Sequence, residues 1–325
     1  MITVRTRGLS PAFGGAVACG LVAARTAAVI MLVTAALVGC GSSDRSPPRD
    51  VDRADPILVP ALAGEQPRAA ADPGALARQL TVAETAVRDR ATPPWMVVAA
   101  GRTAQVAYLA LLDRPGWDAA VLADVPAQLR DTVRRNTAAG RELRAMTTRP
   151  PTTVPAWRIV EPLPAPQLRA YYAEAQQRFG VPWSVLAAVH LVETRMGRIV
   201  GLSTAGAQGP MQFIADTWMR YGLGGNVWNS RDAILGAANY LAAKGAAKGT
   251  DAALDDALYS YNNDSRYVQA VRHYAALMQA DEGAFLGFHA WQVYYRTQFG
   301  VVLLPTGYSS PRTIPVQQWL ARPPR

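Results

Sequence analysis

Cysteine and histidine are scarce in this chain of 325 residues. The two cysteines are Cys19 and Cys40, and cleavage at Cys40 would leave no thiol for a disulfide, a metal site or a nucleophile. The three histidines, His190, His273 and His289, do not follow any metal-ligand spacing. We therefore expect no metal site.

Cofactor and nucleic-acid motifs are missing as well. The sequence has no G-x-S-x-G element, no phosphate-binding loop and no dinucleotide fingerprint, so we expect no cofactor. It also has no tight Lys/Arg run, no zinc-finger spacing and no RNA-binding aromatic signature. The net charge is +9, and a basic surface attracts polyanions. An anionic lipid or an acidic wall polymer fits these observations better than nucleic acid does.

The N-terminus has the pattern of an export signal. Arg25 precedes an apolar run over residues 26–38, which is too short to span a membrane comfortably. The run ends in LVGCGSS, which resembles a bacterial lipobox whose cysteine, Cys40, becomes the lipidated first residue of the mature protein. We predict a signal peptide over 1–39 and a lipid anchor on the outer face of the cytoplasmic membrane. The alternative is an uncleaved anchor with an incidental cysteine.

Composition divides the rest of the chain into five segments. Residues 40–73 have the Pro-, Arg- and Asp-rich composition of a disordered tether. Residues 74–146 carry apolar residues at helical spacing and predict a small helical module of unknown role. Residues 147–166 are a proline-rich linker, and 167–280 are a dense helical block. We expect the tail, 281–325, to pack on that block rather than to contact sugars with its aromatic residues.

Glu193 is the most informative residue of the helical block. Pro182 predicts the start of a helix and Gly197 its end, and the segment between them is apolar nearly all round. Glu193 therefore lies in the last turn of a buried helix, where desolvation and the helix dipole both raise its pKa. A protonated carboxyl is what a general acid needs. The structural alternative is a glutamate that caps backbone groups or pairs with Arg198.

Four groups of residues, in order along the block, resemble the catalytic domain of lytic transglycosylases, and most of all the membrane-bound lytic transglycosylase B family. They are Val192-Glu193-Thr194 with Gly197, Gly206-Ala207 through Gly209 to Gln212-Phe213, Trp228 with Asp232-Ala233-Ile234 and Ala238-Asn239-Tyr240, and Tyr261-Asn262. The resemblance covers roughly 167–278 and implies a mainly α, lysozyme-like fold. No D-x-[DN]-x-[DN]-G calcium loop is present, so no metal dependence is carried over.

The resemblance implies a mechanism with a single carboxylate. Glu193 would act as general acid and then as base, assisted by the N-acetyl group of the substrate. The nearest other acids, Asp216 and Asp232, fit helix starts or the surface better than a nucleophile.

The resemblance also assigns substrate-binding roles to Ser203, Gln212, Asn262, Tyr240, Tyr261 and Tyr267. Loop-closing hydrogen bonds are the alternative for Ser203 and Gln212, and core packing is the alternative for the tyrosines. We assign Met211, Phe213 and Trp228 to the core.

We thus expect a peptidoglycan lytic transglycosylase whose product carries a 1,6-anhydromuramic end. Its partner is the glycan strand, and proteins of cell-wall synthesis or division are further candidates. Two alternatives stay open, namely a hydrolytic muramidase of the same fold and a non-catalytic wall-binding lipoprotein.

Overall fold

The computed structural model describes residues 55–58, 61 and 64–321. Over these residues the fold is mainly α, as predicted, with twelve helices and only short strands. The predicted signal peptide, 1–39, and the predicted lipidation site, Cys40, lie outside the described residues.

Pro73 and Pro94 stand at the first position of the first two helices, where a proline lacks no hydrogen bond that the helix needs. The chain leaves one helix and enters the next at Pro93-Pro94, and again over Arg114-Pro115-Gly116. The helices of this segment are α1 (Pro73–Arg88), α2 (Pro94–Asp113), α3 (Asp118–Asp124) and α4 (Ala127–Met146). α2 is long and apolar enough to cross a membrane, but 67% of its apolar window is buried inside the protein. It is therefore the core helix of this segment.

The central block contains six further helices, arranged around one that is almost entirely apolar. They are α5 (Ala165–Phe179), α6 (Trp183–Thr194), α7 (Ala215–Tyr221), α8 (Ser230–Ala243), α9 (Asp251–Tyr261) and α10 (Ser265–Ala280). α6 is the central helix, and its residues from Ser184 to Leu191 are all buried. It packs against α5, α8 and α10, so the end of α6 is held from several sides.

Three pairs of short antiparallel strands are present in the described residues: one joins the predicted linker to the tail, one joins the linker to the segment after α6, and one is a hairpin within the tail. β1 (Thr153–Val154) pairs with β6 (Ile314–Pro315), β2 (Arg158–Ile159) with β3 (Ile199–Val200), and β4 (Val293–Thr297) with β5 (Gly300–Leu304). The tail also carries α11 (Glu282–His289) and α12 (Val316–Leu320). A second, smaller core forms between these strands, and it includes Val154, Ile159 and Leu304.

The N-terminal helices share one hydrophobic core with the central block. α4 packs along α10, and α2 packs against α11. Leu76 and Leu111 belong to the same buried cluster as Leu186 and Val271. The segment predicted as a small helical module thus contributes to one core that continues into the central block.

One long-range contact ties α2 to the tail. The side-chain amide of Gln105 donates to the carbonyl oxygen of Gln292 at 2.9 Å, and its oxygen accepts from the N–H of Gln292 at 2.8 Å. Gln105 is buried. The pair satisfies both polar atoms of a side chain in a helix that is otherwise largely apolar.

The described part of the predicted tether differs from that prediction. Leu58 is buried against Val87 and Ala100. The side chain of Gln79 binds backbone groups of residues 68 and 70. Composition predicts disorder here because most residues of the stretch are Pro, Arg, Asp or small. It does not show that a few isolated apolar residues, such as Leu58, are buried.

Candidate active site

Glu193 lies in the last turn of α6. The helix ends at Thr194, and a left-handed backbone begins at Arg195. Arg195, Met196 and Gly197 have φ values of 54°, 57° and 88°. The N–H of Arg195 donates back to the carbonyl oxygen of Leu191 at 3.1 Å, which closes the final turn. The predicted helix end is confirmed, and the turn fixes the position of Glu193.

The carboxyl group of Glu193 has one hydrogen-bond partner among the described residues. The hydroxyl of Tyr267, on α10, donates to its Oε1 at 2.7 Å. Burial raises the pKa of Glu193 to about 7, and the bond from Tyr267 acts in the opposite direction. At neutral pH the group therefore populates both protonation states.

The alternative pairing of Glu193 with Arg198 does not occur. The Arg198 guanidinium lies 3.0 Å from a carboxylate oxygen of Glu161 and 3.1 Å from the carbonyl oxygen of His289. His190, on the same helix as Glu193, is buried in the core, with its Nδ1 2.7 Å from the hydroxyl of Tyr172. Burial lowers the pKa of His190 to about 3, so it is neutral.

Three of the six residues predicted to bind substrate form a row of aromatic rings beside Glu193. The rings of Tyr267 and Tyr261 are parallel with centroids 6.4 Å apart, and Tyr240 meets Tyr261 edge-on at 5.5 Å. The Tyr261 hydroxyl donates to the carbonyl oxygen of Met211 at 2.7 Å. The Tyr240 hydroxyl donates to a backbone carbonyl of α9 at 2.6 Å. These bonds make the row a scaffold that links Glu193 to the glycine-rich loop.

The glycine-rich loop, residues 201–213, is held against the end of α6. The Thr194 hydroxyl donates to the carbonyl oxygen of Pro210 at 2.6 Å. Within the loop, the backbones of Gln208 and Phe213 exchange two hydrogen bonds of 2.8 Å. Since Thr194 follows Glu193, the loop and the carboxyl group are positioned by the same turn.

The loop passes so close to residue 227 that only glycine fits at one point. A Cβ on Gly209 would lie 2.0 Å from the carbonyl oxygen of Val227, and its φ is +73°. Gly206 has a similar φ of +79°, but a Cβ there would meet nothing within 4 Å. Gly209 is therefore required by space and by conformation, and Gly206 by conformation alone.

The other three predicted substrate-binding residues lie in the loop or at a helix end. The Ser203 hydroxyl accepts from two backbone N–H groups of its own loop at 3.0 and 3.2 Å. The Gln212 amide donates to the carbonyl oxygen of Gly209 at 2.9 Å. Asn262 is half-buried and follows the last residue of α9. Ser203 and Gln212 therefore make the loop-closing bonds that were the alternative to sugar contact.

One of the three core assignments is wrong. Met211 and Phe213 are buried, as predicted, but Trp228 is 45% exposed. Trp228 lies on the turn that precedes α8, where its backbone N–H donates to the side-chain oxygen of Asn226. A turn residue has no helix face to bury its indole against, so the aromatic side chain stays at the surface.

Glu193 lines a cleft of about 370 Å³ that the sequence analysis did not identify. Its walls come from α4, the linker and the β4–β5 hairpin, and include Trp157, Tyr295 and Arg296. Among the described residues that line it, Glu193 alone is acidic. Asp232 instead lies in the first turn of α8, where its carboxylate accepts the backbone N–H of Asn226. Asp216 is exposed in the first turn of α7.

The tail aromatics divide between the core and the surface. Trp291 is buried in the main core, Tyr294 and Tyr295 line the cleft, and Phe299 is exposed at the hairpin turn. Their aromatic side chains are the one sequence feature that suggests a site in the tail. The cleft wall that Tyr294 and Tyr295 form depends on long-range packing, which the sequence does not show.

No family model and no solved structure match the sequence. Among curated proteins, the chain is 32% identical over 124 residues to the membrane-bound lytic murein transglycosylase F of Thiobacillus denitrificans. The match covers 37% of this chain and 26% of the relative, so it spans about a quarter of the relative's length. It supports a likeness to lytic transglycosylases in general. The relative is named as type F, so the likeness to the B family and the lysozyme-like arrangement stay predictions.

Proposed function

We propose that this protein is a peptidoglycan lytic transglycosylase with Glu193 as its sole general acid and base. It cleaves the β-1,4 bond between N-acetylmuramic acid and N-acetylglucosamine and leaves a 1,6-anhydromuramic end. The observation that carries the proposal is a hydrogen-bonded carboxyl in a cleft to which residues 55–321, so far as the structure describes them, bring no other acidic side chain. The name of the relative agrees with this reaction.

The reaction proceeds in two proton transfers. Neutral Glu193 gives its proton to the oxygen that leaves with N-acetylglucosamine, while the acetamido oxygen of N-acetylmuramic acid attacks the anomeric carbon. The ionised Glu193 then removes the proton of the 6-hydroxyl, whose oxygen closes the anhydro ring and releases the acetamido group. A pKa of about 7 serves both halves, because each protonation state is accessible near neutrality.

The other chain residues position these groups. Tyr267 orients the carboxyl of Glu193 through its hydroxyl. Tyr261 and the turn at Thr194 hold the glycine-rich loop beside it. We propose that Asn262 contacts the bound sugars, and that Ser203, Gln212 and the tyrosine row support them by holding the loop and Glu193 in place.

We further propose that the protein is exported and anchored through a lipid on Cys40, at the outer face of the cytoplasmic membrane. The relative is named as membrane-bound. A globomycin-sensitive change in the size of the protein, absent in Cys40→Ala, is the expected result. An unchanged size in both wild type and Cys40→Ala would favour the alternative, an uncleaved membrane anchor.

The decisive experiment compares wild type with Glu193→Gln on purified sacculi, followed by mass spectrometry of the released fragments. We expect wild type to release fragments with 1,6-anhydromuramic ends and Glu193→Gln to release none. Reducing ends alone would make the protein a muramidase. Equal, negligible release from both proteins would favour a wall-binding role.

A further inference from the structure

The cleft beside Glu193 has an aromatic wall that is joined to the glycine-rich loop. Trp157 and Tyr295 meet edge-on with ring centroids 5.5 Å apart. The indole N–H of Trp157 donates to the carbonyl oxygen of Leu202 at 3.1 Å. A Cβ on Gly201 would lie 2.4 Å from the indole, so glycine at the start of the loop makes room for Trp157. Half-buried aromatic rings in a cleft are suited to pack against sugar rings.

The same cleft is rich in positive charge. Arg144, Arg195 and Arg296 line it, and of the lining residues that the structure describes Glu193 is the one with a carboxyl group. Arg144 pairs with Asp113, which does not line the cleft. Arg195 and Arg296 form no ion pair with any described carboxylate.

Arg296 is the better placed of the two unpaired arginines to meet a ligand. Its Nη1 donates to the carbonyl oxygens of Arg144 and Thr147 at 3.1 and 3.2 Å, which fixes the guanidinium at the junction of α4 and the hairpin. Its Nε and Nη2 have no hydrogen-bond partner among the described residues. A guanidinium held this way presents two parallel N–H groups, the geometry that matches a carboxylate.

We propose that Arg296, with Trp157 and Tyr295, forms a subsite for a carboxylate carried by the N-acetylmuramic acid side chain of the glycan strand. The proposal rests on the proposed function for its substrate. Carboxylates are the anionic groups of this substrate. The stem peptide carries them, and the lactyl substituent carries one only where no peptide is attached, because an attached peptide holds the lactyl carboxyl in an amide bond. The aromatic pair packs on the sugar while Arg296 binds its charged substituent. The subsite is built from the linker and the hairpin, outside the segment that carries the catalytic motifs.

The test measures binding in the Glu193→Gln background, which does not turn over substrate. Three ligands are compared: glycan strands with intact stem peptides, the same strands with every peptide carboxylate converted to an amide, and strands stripped of peptide, whose lactyl carboxylate is thereby freed. We expect the amidated strands to bind about tenfold more weakly than the intact ones, the size typical of one charge-assisted contact. The stripped strands show whether a lactyl carboxylate fills the same subsite: it does if they bind like the intact strands, and the subsite is specific for the stem peptide if they bind like the amidated strands.

Substitution of Arg296 locates the effect. Glu193→Gln/Arg296→Gln should bind intact strands about tenfold more weakly and amidated strands unchanged, and Arg296→Lys should retain most of the affinity. Arg78→Gln, which removes an exposed charge on α1 away from the cleft, is the matched control and should have no effect.

Equal binding of intact and amidated strands by the Glu193→Gln protein would overturn the subsite, and this comparison needs no change at Arg296. Equal losses on both ligands in Arg296→Gln would also overturn it. Because every readout is a dissociation constant, a protein that binds by carboxylate but releases no anhydro product would refute the proposed function and keep the subsite.

Discussion

The hydroxyl oxygen of Tyr267 lies 2.7 Å from Oε1 of Glu193, across the interface between α10 and α6. Burial raises the pKa of the carboxyl and this bond lowers it, so the balance of the two sets the value of about 7. The contact joins a core tyrosine to the candidate acid and base, and it makes the protonation of Glu193 sensitive to a change at a second position.

Tyr267→Phe removes the donor that favours the charged carboxyl. The pKa of Glu193 should rise above about 7, so the protonated form persists to higher pH. The alkaline limb of the pH–rate profile should therefore move to higher pH, together with a fall in kcat from lost positioning. The measurement is the release of anhydro products from sacculi between pH 5 and 9. An unmoved limb with a lower kcat would show that the hydroxyl does not tune the acid.

Glu193→Gln should change how stability depends on pH. A carboxyl whose folded pKa is raised stabilises the protein below its ordinary pKa, and this contribution is lost as pH rises through about 7. Wild type should therefore lose stability between pH 5 and 8 relative to Glu193→Gln. The expected difference is on the order of 2 kcal/mol, reduced from the full shift by solvent at the half-buried site. Chemical unfolding at both pH values measures it, and parallel curves would contradict the raised pKa.

Gly209→Ala and Gly206→Ala form a matched pair. Both place a Cβ at positive φ, which costs roughly 1–2 kcal/mol. Only Gly209→Ala also drives the Cβ into the carbonyl of Val227, so we expect it to cost more than about 3 kcal/mol and to abolish activity. Gly206→Ala should stay active. Equal losses of stability in the two variants would mean that the loop can move away from residue 227.

A chain that begins at residue 147 should not fold on its own. α4 packs along α10, and the core of the central block continues into the N-terminal helices. Removal of the N-terminal helices exposes the apolar face of α10, the helix that carries Tyr267. The truncated chain should therefore lack a cooperative thermal transition. A chain that begins at residue 55 is the control and should melt cooperatively. A sharp transition in the shorter chain would show that the central block is independent.

The sequence predicts the local parts of the site better than its walls. Pro182 and Gly197 bracket α6 correctly, and an apolar helix is enough to predict a raised pKa for Glu193. Trp228 was misplaced because a position in a motif does not indicate whether a side chain faces inward. The cleft wall of Trp157 and Arg296 was not predicted, since it forms only when segments more than 100 residues apart in the chain meet.

The exchange of hydrogen bonds between Gln105 and Gln292 has a consequence for the order of events during synthesis. The two residues are separated by 187 positions, so α2 leaves the ribosome long before its partner exists. Until residue 292 arrives, the amide of Gln105 must stay bound to water, because burying it unpaired is costly. The N-terminal helices can form early, but their final packing waits for the last part of the chain. A protein exported through a membrane in extended form would therefore complete its fold only after almost all of it has crossed.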